Sequence, residues 1–127
     1  MGLRSVDAPR ERPAPTSYLV HAGGREERRS FDALTLVVAV KPDCDGCRDF
    51  VEGTHGLGEQ VVVVAVSEDG AFEGRDVVVS PELWRDLDIH SAPFYVVVDP
   101  TRALVVAEGS VFSPAQVAAE IESRLRW

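Results

Sequence analysis

The chain of 127 residues has two cysteines, and they fall three apart as Cys44-Asp45-Gly46-Cys47. That spacing suits redox chemistry. Residues three apart at the start of a helix share one face, within the roughly 4.4 to 6.8 Å Cα separation a disulfide needs, so the pair can open and close. Cys44, placed among the free N–H groups of a helix start, has its thiolate favoured and is the expected nucleophile; Cys47, one turn further in, is the expected resolving thiol. Two other readings stay open on these residues alone. Both cysteines can be small buried hydrophobes with no turnover. Two thiolates are also half of a tetrahedral copper or zinc set, which only His21, His55 and His90 could complete, and no second Cys or His pair has ligand spacing. No metal is therefore expected. His90, three residues before Pro93, is either a loop rim residue or a proton-transfer or copper-ligating group near the sulfurs.

Other chemistries find no support. Ser67, Ser91 and Ser110 lack the glycine-flanked elbow and paired histidine of a nucleophilic serine. No phosphate-binding glycine fingerprint is present, and no bound cofactor is expected. The net charge is −8; residues 1 to 30 carry six arginines against four acids, and the remainder seven bases against seventeen acids. Such an acidic body repels phosphate, which argues against nucleic acid as a partner. Arg25-Glu26-Glu27-Arg28-Arg29 alternates in sign and reads as a solvated loop. Asp99 reads as a turn residue and Trp84 as a helix anchor.

The elements that must position the cysteines follow from hydrophobic runs and breakers. With 45% hydrophobic and 27% charged residues, the composition is that of a globular protein with a real core, large enough for a single domain. Residues 1 to 17, rich in Pro, Arg and Ser, read as a flexible arm, and 18 to 127 as the domain; a monomer is expected. Residues 18 to 21 suggest an edge strand, followed by a turn at Gly23-Gly24 and a polar connection over 25 to 30. Residues 33 to 40 read as a strand buried on both faces, ended by Pro42. A short helix is expected from Cys44 to about Glu52, closed by Gly53, Gly56 and Gly58. Residues 60 to 66 and 76 to 79 are further strands. Ser80-Pro81 opens a helix to about Leu87, with Ser as cap and Pro at the first helical position. Residues 94 to 99 and 104 to 108 form a hairpin, and Ser113-Pro-Ala-Gln116 caps a closing helix with Val117, Ile121 and Leu125 at helical spacing. Twenty-one valines gathered in short runs point to an α/β fold, a central mixed sheet with helices on both faces. The longest apolar run falls far short of the ~20 residues a spanning helix needs, so no membrane span is expected. Residues 1 to 20 hold no apolar signal core; as written the chain is expected in the cytoplasm, or outside it where a leader or anchor has been removed.

A strand, C-x-x-C opening a helix, then Ala92-Pro93 entering a β-hairpin and a closing helix resemble the thioredoxin family over roughly residues 31 to 126. The stretch Asp86-Leu-Asp-Ile-His-Ser-Ala-Pro-Phe-Tyr-Val-Val-Val-Asp99 is similar to the region around the family's cis-proline, and the closest flavour is TlpA-like, including the related methylamine-utilisation proteins. The resemblance implies a thioredoxin fold and a thiol–disulfide oxidoreductase. It implies that Pro93 is cis and packs against the cysteines, and that the Ala92 backbone pairs with an extended segment of a protein disulfide substrate. It also exposes departures. Asp43 stands where a Trp usually precedes the first cysteine, Asp45-Gly46 replaces Gly-Pro, and Val38 replaces the buried acid six residues before the nucleophile. Asp43 and Asp45 repel a Cys44 thiolate by on the order of 1 kcal/mol each, partly countered by Lys41. A less acidic nucleophile favours the disulfide, so a couple at the reducing end is expected. The departures also leave room for a non-catalytic binding or redox-sensing module on the same fold.

Overall fold

The computed structural model describes residues 12–54, 56–57, 60–111 and 113–125. In chain order the elements are β1 (Arg12–Pro13), β2 (Ser17–Ala22), β3 (Arg25–Ser30), β4 (Thr35–Ala39), α1 (Arg48–Glu52), β5 (Val61–Ala65), β6 (Val78–Val79), α2 (Pro81–Asp86), β7 (Phe94–Asp99), β8 (Leu104–Ser110) and α3 (Pro114–Leu125).

Six strands form one mixed sheet in the order β1-β8-β7-β4-β5-β6, parallel through β4, β5 and β6 and antiparallel through β1, β8, β7 and β4. The valine runs dictate this. A strand covered on both faces cannot alternate apolar with polar, and all five residues of β4 are buried. Leu36 and Val38 face a cluster completed by Phe50 of α1 and by Val117 and Ile121 of α3. Val37 and Ala39 face the opposite cluster, where Leu83 and Trp84 of α2 join Tyr18, Val20 and Phe31. The expected α/β architecture, a central mixed sheet with helices on both faces, is the one the chain adopts.

Both helix caps read from sequence form as hydrogen bonds. The Ser80 hydroxyl accepts from the Leu83 amide at 3.2 Å ahead of Pro81, and the Ser113 hydroxyl accepts from Gln116 at 3.2 Å. Trp84 is buried and its indole N–H donates to the Val64 carbonyl at 3.3 Å, fixing α2 to the sheet. Asp99 accepts from the amides of Thr101 and Arg102 and shapes the β7–β8 turn.

Three expectations need correction. Residues 25 to 30, read as a polar loop, are β3, paired residue for residue with β2 through a turn in which Gly23 and Gly24 both have positive φ (57° and 81°). Two consecutive residues in that region are what a tight hairpin demands, and glycine supplies them without strain. Every residue of β3 is exposed, so no apolar alternation marked it. Consequently β2 is not an edge strand of the main sheet but half of a separate two-stranded one, whose buried Tyr18 and Val20 cover the α2 face. Residues 12 to 17, assigned to the arm, belong to the fold as well. Arg12 and Pro13 pair with Val105 and Leu104, and the Arg12 guanidinium bonds Glu108 at 2.6 Å and the Leu87 carbonyl at 2.5 Å. Proline suits this edge position, since an edge strand has amides to spare.

Candidate functional site

The parallel pairing of β4 with β5 and the antiparallel pairing of β4 with β7 decide what meets at one end of the sheet. Ala39 lies opposite Phe94, so the chain leaving β4 through Pro42 to Cys44 and the chain entering β7 through Ala92-Pro93 are neighbours there. The segment leaving β5 arrives at the same end on the other side of β4. Binding sites of α/β sheets characteristically form beyond the carboxyl ends of such strands.

Cys44 is extended (φ −131°, ψ 109°) and begins a 3-10 turn over Asp45–Cys47, with the Cys47 amide donating to the Cys44 carbonyl at 3.1 Å. This corrects the expected α-helix from Cys44: α1 starts only at Arg48 and ends after five residues at Gly53, which takes the left-handed conformation. Three residues per turn eclipse positions i and i+3 more fully than an α-helix does. Cys44 and Cys47 therefore stand together, Cα atoms 5.2 Å apart, and are joined by a disulfide. Their environments differ. Cys47 is fully buried in the cluster beneath α1, whereas Cys44 is half-buried at the surface. The core below is apolar: Val38 belongs to the same cluster, and the buried polar side chains among the described residues are Thr35 and Ser80, so no carboxylate lies under the pair.

The Ala92–Pro93 peptide is cis. Ala92 is half-buried and packs against both core clusters, while the Pro93 carbonyl accepts from the Val111 amide at 3.3 Å, tying the loop to the end of β8. Around Cys44 the flanking charges are exposed. Lys41 and Asp43 are open to solvent, and Asp45 is fully exposed, 3.7 Å from Arg48.

The histidines do not gather at the sulfurs. His21 sits on the hairpin, its Nε2 2.8 and 2.9 Å from the two Glu82 oxygens of α2. His90 is exposed and paired with Asp88 at 2.6 Å. His55 lies outside the described residues. Among the described residues no group of three His, Cys, Asp or Glu side chains is placed to hold a metal ion.

Sequence reading missed a groove of about 400 Å³ that opens at Cys44 on its β5 side. Its walls come from α1 and from residues 71 to 75, where Gly70–Phe72 forms a 3-10 turn capped by the Asp69 carboxylate on the Ala71 amide. Only the parallel pairing of β5 with β4 brings that turn beside the cysteines. The signal available in advance was the polar stretch directly after a buried parallel strand.

Sheet order and the place of the cysteine pair define the class: the chain has the thioredoxin fold. No protein-family model matches it, and no curated relative does. Among solved structures, one from Chlorobium tepidum, described as a thiol:disulfide interchange protein DsbE, superposes with a TM-score of 0.65 at 16% identity, over 93% of this chain and 99% of its own. A thiol:disulfide interchange protein from Bacteroides sp. gives 0.60 at 16% identity over 95% and 93%. The exposed lipoprotein thioredoxin Etrx1 of Streptococcus pneumoniae gives 0.57 at 14% identity over 84% and 98%. Among the described residues no helix is long and apolar enough to cross a membrane.

Proposed function

We propose that the protein is a thiol–disulfide oxidoreductase that reduces disulfides of protein substrates through Cys44 and Cys47. The observation that carries this reading is the asymmetry of the pair: two cysteines close enough to be bonded, one half-buried at the surface and one fully buried. In the dithiol form, the Cys44 thiolate attacks a substrate disulfide, a Cys44–substrate mixed disulfide forms, and one substrate thiol leaves. Cys47 then attacks the Cys44 sulfur, releasing the second substrate thiol and leaving the Cys44–Cys47 disulfide; two electrons have passed to the substrate. Burial of Cys47 keeps external thiols from it, so Cys44, half-buried at the surface, is the point of entry. Ala92 offers backbone pairing to an extended substrate segment, and Pro93 shapes that platform against the cysteines. Asp43 and Asp45 raise the Cys44 thiol and Lys41 lowers it. The thioredoxin-fold structures named above include thiol:disulfide interchange proteins, which supports exchange with protein partners.

A redox titration in dithiothreitol or glutathione buffers, read by thiol labelling and mass, tests this directly. A reversible two-electron transition near about −270 mV, with Cys47→Ser trapping mixed disulfides, is the expected result. A pair that stays reduced at every poise removes the reading, and a potential above about −180 mV removes its reducing direction. One observation favours a second reading, a binding or sensing module: among the described residues no buried carboxylate lies beneath the pair to accept a proton from Cys47. In that case insulin reduction by dithiothreitol is not accelerated, while partner binding persists.

A further inference from the structure

We propose that the groove beside Cys44 is a subsite for a low-molecular-weight zwitterionic disulfide, one whose halves each carry an ammonium and a carboxylate close to the sulfur. This rests on the reading of Cys44 and Cys47 as a working dithiol and adds a substrate class to it. The groove encloses about 400 Å³ and has Cys44 itself in its wall. That volume lies at the small end of ligand pockets, roughly 300 to 1,000 Å³, and suits a molecule of amino-acid-sized halves rather than a folded segment of protein.

Its lining is divided by character. Val51 and the buried Phe72 give an apolar floor for methylene groups. The polar lining is made of Lys41, Arg48 and Arg75 against Asp43, Asp45 and Glu52, equal in number in a chain whose net charge is −8. Arg48 and Asp45 lie 3.7 Å apart, whereas among the described residues Lys41, Arg75, Asp43 and Glu52 make no ion pair. Charges of both signs are thus left to engage a ligand. A purely anionic ligand would meet three carboxylates and a purely cationic one three cations, so a molecule with both groups fits best. Position supports the same choice. The groove lies on the β5 side of Cys44 and Ala92-Pro93 on the β7 side, so a small disulfide occupies the first without using the second.

The reaction balances as for a protein substrate. The Cys44 thiolate attacks one sulfur of the bound disulfide and expels one small thiol; Cys47 attacks Cys44 and expels the other, so the small disulfide is reduced and the dithiol oxidised.

The test measures oxidation of the reduced full chain by cystine (both charges), cystamine (cationic), dithiodiglycolate (anionic) and 2-hydroxyethyl disulfide (neutral). Each rate is normalised to that of free dithiothreitol with the same oxidant, which removes intrinsic reactivity. Cystine is expected to exceed the other three by about tenfold, the worth of two exposed charge contacts, and Arg75→Gln or Glu52→Gln to lower the cystine-to-neutral ratio about threefold each. Equal normalised rates, a purely charged disulfide reacting fastest, or a ratio unmoved by both variants overturns the subsite while leaving the dithiol intact. Absence of reaction with all four, the neutral one included, overturns the dithiol reading along with it.

Discussion

Cys44 and Cys47 are three residues apart in sequence and far apart in exposure, and that difference sets what each neighbour can do. Asp45 is fully exposed and Asp43 open to solvent, so their effect on a Cys44 thiolate is screened. Asp43→Asn with Asp45→Asn is therefore expected to make reduced Cys44 only slightly more acidic, read as a small displacement of its alkylation profile to lower pH. An unchanged or raised pKa would show that the aspartates do not tune the thiol. Lys41→Gln is expected to move it the other way. The cysteine spacing, the apolar Val38 and the two helix-cap serines were legible as single residues because each acts through its neighbours in sequence. Arg75 and Glu52 were not, since they meet only across the groove that the strand order creates.

At the scale of elements, two polar contacts fasten pieces that hydrophobic burial alone leaves loosely tied. His21 of β2 grips Glu82 of α2, holding the hairpin on the sheet face. A hydrogen bond from its own backbone N–H, and next the bond from His21, hold the Glu82 carboxyl below its usual 4.5. A lowered folded pKa means that this stabilisation is complete above the unfolded value and is lost as pH falls below about 4.5 through the folded one. Urea midpoints measured from pH 6 to pH 3 should fall in that window, and Glu82→Gln should flatten the decline; an equal decline in the variant would exclude Glu82 as its source. Arg12→Ala removes bonds to Glu108 and to Leu87, the residue that ends α2. A loss of about 1 to 3 kcal/mol in urea unfolding is expected, with a midpoint equal to wild type counting against β1 as a structural strand. Elements built on valine runs or on cap signals were readable in advance. β1 and β3 were not: one is a two-residue pairing fixed by a partner more than ninety residues away, the other a charged strand whose only signal was Gly23-Gly24.

Over the whole molecule, stability resides in the doubly covered sheet rather than in the cysteine bridge. A bridge spanning three residues closes a very short loop, so loop entropy limits its contribution to about 2 kcal/mol. Leu36→Ala, which opens a cavity between β4 and α1, should cost about 2 to 5 kcal/mol. Urea unfolding of oxidised, reduced and Leu36→Ala protein would rank these effects, and a larger loss on reduction than on Leu36→Ala would reverse the assignment. The scaffold is therefore expected to hold whether the bridge is closed or open.

The outermost strands of the main sheet, β1 and β6, each pair over only two residues, and β3 carries charge along its whole exposed length. Long, flat, apolar margins are where chains stack into fibrils, and the two outer strands of the main sheet present none. Short and charged outer strands of this kind guard a sheet against pairing edge to edge with a second copy. Concentrated solutions of it should resist amyloid-type polymerisation in the folded state.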